Sequence, residues 1–473
     1  MINAISYSDD TLDDSLGQIP SGYQNPSRFA ENLILLMWLI LLVEGLFTPY
    51  LRGAFGEGGA WWTRITPWDL FPSELIFYNP LTALIGLYII TRGRTYGHKT
   101  TRGLWMLVLI FCWGIYGALN GLLSGAPGNF WLADLRQTVL GAWIVPVICS
   151  LAPRVRLSVL LRRFYKAGML MAIYNGTIGI MTFAGLIYED SRFQIGWYSE
   201  YILIFMYIAI LSQKVITDKG TFLSLFIISY GIIAPFHKPT IGVFVLANFF
   251  VLIFFVISSR KLGLKVYLRT FKVATMLAVG AALLMSYMFT LGNDALREWI
   301  NRKYLKLQVS AGSRDLSGRR FAAWGWGIDQ WKSHPFKGTG FGIWLVTYEG
   351  EGEGDVRYVP IHNLLIETLY ETGVFALILW SCVIFWLARI YKYLKVCSDD
   401  YDYWAILAMY CWVLTMIAMS GAGRYLGAVN IQLTFFICVG LLTNAEAQYH
   451  TALSYGSYIY EENNLSEEGT LKH

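Results

Sequence analysis

Apolar residues follow one another along this chain in long blocks that carry almost no charge, and these blocks limit what the chain can fold into. Each block runs for roughly 16 to 24 residues, the length that an α-helix needs to cross the hydrocarbon core of a bilayer. Only 15% of the 473 residues are charged, whereas a soluble domain carries about 25% charged residues. The sequence therefore predicts an all-α, polytopic membrane protein whose surroundings are the lipid bilayer.

About twelve such spans can be marked, and their order predicts five regions. Residues 1–29 are polar and acidic and lack the features of a secretory signal, so we expect a disordered cytoplasmic tail. Transmembrane helices are expected within 30–290 and 363–444, a large loop over 291–362, and a second cytoplasmic tail over 445–473. The expected spans lie near 32–49, 75–91, 104–123, 137–152, 167–187, 199–212, 221–235, 240–258, 273–290, 363–387, 404–420 and 427–443.

The basic loops predict the orientation of the chain in the membrane. Lysines and arginines follow every second span, for example at Arg92, Arg156 and Lys261, and short loops rich in these residues stay in the cytoplasm. Both termini are therefore expected in the cytoplasm, and the loop 291–362 on the outer face. A connection of about 70 residues is usually functional or disordered. Its helical pattern of apolar residues favours a functional, largely helical loop.

Within this loop the sequence predicts a helix over Gly318–Ser333, which His334 and Pro335 end. Asp294 is placed to cap an earlier helix that lies on the membrane surface. The turn-rich segment GTGFG and then residues 349–356, predicted to be a flexible lid, follow the Gly318–Ser333 helix. GTGFG lacks the strand and helix that flank a nucleotide-binding loop, so nucleotide binding is not expected.

Several basic residues of the outer turns and the large loop run against the usual cytoplasmic bias. If the ends of the helices converge, these residues form a basic patch, and the ligand that suits it is the diphosphate of a polyprenyl lipid. Two of them, Arg192 and Arg424, have an alternative role as lipid-headgroup ligands or helix caps. The set comprises Arg192, Lys238, Arg319, Arg320 and Arg424.

His362 opens the tenth span and is a candidate for proton transfer, because its imidazole titrates near neutral pH. A purely structural histidine is the alternative. Asn363 next to it is placed to cap the following helix. Glu367 and Glu371 lie within the span, where ionisable groups are costly, so they are expected either to brace neighbouring helices or to orient the histidine.

Other features of the sequence are less informative. The six cysteines form no close CxxC pair and are expected to be packing residues. No acidic cluster predicts a metal site, and nothing predicts binding of nucleic acid. Trp324, Trp326 and Trp331 recur at near-helical spacing and are expected to anchor the loop helix, with sugar stacking as the alternative.

Two segments, SGRRFAAWGWGIDQWKSHPFKGTGFG and HNLLIETLYETGVFALIL, resemble the signature of the O-antigen ligase and Wzy-type polymerase superfamily. The resemblance implies a glycosyltransferase of the C-type membrane class in the bacterial inner membrane, acting on the periplasmic face without metal or cofactor. Its donor would be a glycan on undecaprenyl diphosphate. The family's histidine falls on His362 and its loop arginine on Arg320, with Arg319 close behind. Lys238 in PFHKPTIG stands where the family has an arginine, and Arg192 resembles a further outer arginine.

The resemblance implies that the basic residues hold the donor diphosphate and that His362 positions or deprotonates the acceptor hydroxyl, with inversion at the anomeric carbon. A polymerase, a ligase that uses a lipid A core acceptor, and a protein glycosyltransferase all fit, and we favour the polymerase. Other polysaccharide-assembly proteins are expected partners. The alternative class is a twelve-span transporter or flippase, which predicts two related halves and buried midplane charges. The single large loop and the outer charges argue against it.

Overall fold

The computed structural model describes the backbone over several separate stretches of the chain. The described ranges are 28–39, 101–126, 155–183, 199–212, 218–234, 238–257, 316–343, 345–348, 356–359, 363–396, 403–421 and 434–446, with isolated residues between them such as Trp131, Asp134 and Ile361. The predicted spans near 75–91 and 273–290, the capping role of Asp294 and the lid residues 349–355 lie largely or wholly outside these ranges.

Helices dominate the described residues, as the apolar blocks predict. In chain order they are α1 (28–39), α2 (Thr101–Leu123), α3 (Leu157–Phe183), α4 (Ser199–Ser212), α5 (Asp218–Ile233), α6 (Lys238–Ile257), α7 (Leu316–Ser333), α8 (Leu364–Thr372), α9 (Val374–Val396), α10 (Tyr403–Ser420) and α11 (Thr434–Glu446).

Two stretches in the described ranges are long and apolar enough to cross a bilayer, Val374–Leu394 of α9 and the whole of α10. Five further apolar helical stretches are shorter. Along α9, Leu377, Ile378 and Phe385 point outward with 46 to 66% of their surface exposed. An apolar helix face of this kind suits lipid rather than water. By length and composition, these helices suit a chain that lies in a membrane.

Helix α10 lies at the centre of the bundle and packs against α3, α4, α6 and α9. Its Trp412 is fully buried and donates its indole N–H to the carbonyl of Tyr201, at the start of α4, over 3.1 Å. Helices α3 and α5 approach closely where Gly231 faces the backbone of Ala172. Small residues at such crossings let membrane helices pack backbone to backbone.

The large loop contains two strands besides its helix, which its sequence did not predict. Strands β1 (Leu345–Tyr348) and β2 (Val356–Val359) pair in an antiparallel hairpin, with Leu345 opposite Val359 and Tyr348 opposite Val356. Alternation of β-branched and aromatic residues suits such strands. The predicted lid segment therefore connects two paired strands.

The predicted span 363–387 is also corrected, because it is two helices. Helix α8 ends at Thr372, and Gly373 adopts a positive φ of 58° before α9 begins at Val374. Glycine adopts such a conformation without a Cβ clash. The break separates the short helix that follows His362 from the long apolar helix α9.

Candidate active site

Helix α7 carries the paired arginines of the loop. Arg319 and Arg320 lie in its first turns, and the helix ends at Ser333, directly before His334 and Pro335. Gly325 and Gly327 each cost the helix about 1 kcal/mol relative to alanine. Gly327 has a reason to be small, because a Cβ there would lie 2.7 Å from Ile361 and 2.8 Å from Ile366.

Helix α7 is fixed against Ile361, the residue before His362. The indole N–H of Trp324 donates to the carbonyl oxygen of Ile361 over 3.0 Å. The ring of Trp326 meets that of Tyr370 edge to face, with centroids 5.4 Å apart. Together with the close contact at Gly327, these interactions join the helix that carries the arginines to the backbone next to the histidine.

Asn363 caps α8, as its position in the sequence predicts. Its side-chain oxygen accepts from the backbone N–H of Ile366 at 3.1 Å, and its backbone is extended, as in an N-cap. Its amide also donates to the carbonyl of Gly421 at 2.7 Å, just beyond the end of α10. The backbone is therefore held on both sides of position 362.

The segment GTG of the loop caps the other end of α8. The backbone N–H of Thr339 donates to the carbonyl of Tyr370 at 2.7 Å, and that of Gly340 donates to the carbonyl of Glu371 at 2.8 Å. The last carbonyls of a helix have no partner within it, and the loop supplies donors for them. Gly338 has a φ of +68°, and a Cβ there would lie 2.4 Å from the backbone of Glu371. The glycines of this segment thus serve close backbone contact rather than a nucleotide.

The same loop segment is tied to helix α2 on its other side. Asn120 donates to the carbonyls of Lys337 and Gly338 at 2.9 and 3.2 Å. The backbone N–H of Phe341 donates to the carbonyl of Gly117 at 2.9 Å. The loop residues 334–342 therefore form a wedge between α2 and α8, and this wedge gives the site a rigid base.

Three buried carboxylates meet beneath the wedge. Asp134, Glu367 and Glu371 each have a carboxylate oxygen within 4.8 Å of those of the other two, and each residue is at most 4% exposed. Asp134 also accepts from the backbone N–H of Gly342 at 2.8 Å. Like charges this close together and this far from water are costly. The sequence does not predict this cluster, because Asp134 lies more than 200 positions before the two glutamates.

The helices that follow the other predicted basic residues also meet. Thr240 in the first turn of α6 donates to the carboxylate of Glu200, at the start of α4, over 3.1 Å. Lys238 is the first residue of α6, and Arg192 precedes α4 by a few positions. Helix α10 connects α4 with α8. Its Trp412 donates to the carbonyl of Tyr201 in α4, and Gly421, just after α10, accepts from the side chain of Asn363 at the start of α8.

The structure describes the predicted site residues to different extents. Asn363 and Glu371 are described with their side chains, and Arg319, Arg320 and Lys238 are described as helix positions only. Arg192, Arg424 and His362 lie outside the described residues. The helix of the arginines therefore contacts Ile361, the residue before His362, whereas the convergence of Lys238 and Arg192 with them stays a prediction.

Residues 223–381 match a family model described as O-antigen ligase. Over these residues the chain is similar to the O-antigen ligase family. The matched stretch runs from α5 into α9 and contains both segments that carry the resemblance in the sequence, which is thereby confirmed. Lys238, Arg319, Arg320 and His362 lie within it, whereas Arg192 lies before it. Comparison with curated proteins gave no match.

The sequence predicts only a general anchoring role for Trp324 and gives no signal for Asp134. The stretch that matches the O-antigen ligase family begins after Asp134, so the resemblance does not reach it. The sequence places Trp324 one helical turn after Arg320, but it does not show which carbonyl accepts from its N–H.

Proposed function

We propose that this protein is a glycosyltransferase that moves a glycan from undecaprenyl diphosphate to a sugar hydroxyl at the periplasmic face of the bacterial inner membrane. The observation that carries the proposal is the hydrogen bond from Trp324 of α7 to Ile361. This contact joins the helix of the paired arginines to the residue before His362, within the stretch that matches the O-antigen ligase family.

In the proposed reaction His362 takes the proton of the acceptor hydroxyl, and the hydroxyl oxygen attacks the anomeric carbon of the donor. The bond between that carbon and the diphosphate oxygen breaks, undecaprenyl diphosphate leaves, and the configuration inverts. Arg320 stabilises the charge that develops on the leaving diphosphate, together with Arg319, Lys238 and Arg192. Asn363 fixes the backbone directly after His362, because it caps α8 and donates to the carbonyl of Gly421.

The proposed topology places the loop 291–362 in the periplasm as the catalytic region, between the transmembrane helices of 30–290 and 363–444. Buried ion pairs near both chain ends support it. Glu31, near the first tail, pairs with Arg156 and Arg163 at 3.1 and 3.5 Å. Glu446, near the second tail, pairs with Arg389. In the predicted topology these arginines lie in the basic segments that face the cytoplasm, which agrees with cytoplasmic termini.

Glycan assembly in the host cell tests the proposal. We expect His362→Ala and Arg320→Ala to reach the membrane at parental levels and to abolish the polymer or the ligated glycan, while the lipid-linked precursor accumulates. Single repeats would indicate a lost polymerase, which we favour, and long unattached chains a lost ligase. If His362→Ala supports assembly as the parent does, the proposed chemistry is wrong and transport becomes the better account.

A release assay tests whether a metal is needed. The purified protein is mixed with lipid-linked glycan extracted from a deletion strain of the host and with host membrane lipids as acceptors, and freed undecaprenyl diphosphate is measured by mass spectrometry. The proposal needs no metal, so we expect release to continue in EDTA. Loss of release that Mg²⁺ or Mn²⁺ restores would contradict this part of the proposal.

A further inference from the structure

Trp324 makes a contact that simple packing of the loop helix does not require. Its indole N–H donates to the carbonyl oxygen of Ile361 over 3.0 Å, and the peptide unit of that carbonyl leads directly into His362. A backbone hydrogen bond at this point restrains the rotation of the peptide unit. It therefore restrains the direction in which the next Cα carries its side chain.

The position of Trp324 on α7 adds a second restraint. It lies four residues after Arg320, and residues at this spacing share one face of a helix, one turn apart. Helix α7, which contacts Ile361, thus carries Arg320 one helical turn before the contact. Gly327, one turn further on, meets Ile361 and Ile366 on the same side.

Trp326 shows what a packing tryptophan does in the same helix. Its ring lies edge to face against Tyr370 of α8, with centroids 5.4 Å apart. Trp326 thus contacts a side chain of α8, whereas Trp324 donates to the backbone carbonyl of Ile361, before α8 begins. The two tryptophans therefore form a matched pair that differs in the group contacted.

We propose that Trp324 is a positioning residue, which sets the distance and direction between His362 and the arginine pair through its hydrogen bond to Ile361. This inference rests on the proposed function. The N–H of Trp324 orients the base relative to the leaving diphosphate, so it acts on the rate of the chemical step and not on the affinity for the donor.

The release assay with the extracted lipid-linked glycan tests this role through kcat and KM. Trp324→Phe keeps an aromatic ring and removes the N–H, and we expect kcat to fall about five- to tenfold with KM for the donor within about twofold. Trp326→Phe is the control and keeps kcat within about twofold of the parent. Benzothienylalanine at position 324 keeps the shape of the indole and replaces the N–H by sulfur, so it decides the result if Trp324→Phe is poorly folded.

Several results would overturn the inference. A parental kcat for the benzothienylalanine protein would show that the N–H does not matter. A rise in KM that accounts for the whole loss in kcat/KM would show that Trp324 merely keeps the arginine helix in place. An equal loss of kcat in Trp326→Phe would make packing the cause. If the parent itself releases no undecaprenyl diphosphate, the proposed function fails first and the inference falls with it.

Discussion

Gly338 is the position where one added methyl group should separate the loop wedge from α8. Its φ is +68°, and a Cβ built on it would lie 2.4 Å from the carbonyl carbon and oxygen of Glu371 and 2.5 Å from the backbone nitrogen of Thr372. These are backbone atoms, which cannot rotate away as a flexible side chain can. Gly338→Ala must therefore move the loop or the end of α8.

The cost follows from two contributions. An L-residue in the left-handed region loses roughly 1–2 kcal/mol, and an added methyl group in a packed contact costs about 1–3 kcal/mol. Together they predict that the free energy of unfolding falls by about 2–5 kcal/mol. Gly325→Ala is a matched control, since a Cβ there meets nothing within 4 Å and alanine stabilises an exposed helix position by up to about 1 kcal/mol.

Thermal unfolding of the detergent-solubilised protein, followed by tryptophan fluorescence, measures both variants. We expect the unfolding midpoint of Gly338→Ala to fall by on the order of 5 °C or more, while Gly325→Ala unfolds at or above the parental temperature. A parental midpoint for Gly338→Ala would refute the geometry of the wedge. An equal fall in both variants would show that the effect does not depend on the contact with α8.

Two further substitutions test other junctions of the fold. Asn363→Ala removes the cap of α8 and the bond to Gly421, and we expect it to lower the free energy of unfolding by about 1–3 kcal/mol; Asn363→Asp should recover the cap part of that loss, and no recovery would contradict the capping role. Glu31→Gln leaves Arg156 and Arg163 without their buried carboxylate, and because both arginine side chains are 29% exposed we expect a loss of roughly 1–3 kcal/mol. An unchanged unfolding midpoint would show that this ion pair contributes nothing to stability.

The sequence predicted helices well where the periodicity was local. The expected span 199–212 coincides with α4, and the expected helix over Gly318–Ser333 lies within α7. Asn363 was predicted as a helix cap and is one. Each of these features depends on residues within a few turns of one another, so a single sequence contains the whole signal.

Features that depend on distant contacts were not predictable in the same way. The break at Gly373 depends on the backbone of Phe336, where a Cβ would lie 2.5 Å from the carbonyl oxygen. The wedge contacts Asn120, 217 positions away from Lys337. Asp134 meets Glu367 and Glu371 only because the bundle folds them together. No local pattern of residues reports such contacts.

The release assay on the parent beside His362→Ala tests the central claim most directly. The account predicts that the purified parent frees undecaprenyl diphosphate from the extracted lipid-linked glycan and joins the glycan to an acceptor, and that His362→Ala, equally well folded, does not. Release by His362→Ala at the parental rate, or no release by a folded parent supplied with donor and acceptor, would contradict it.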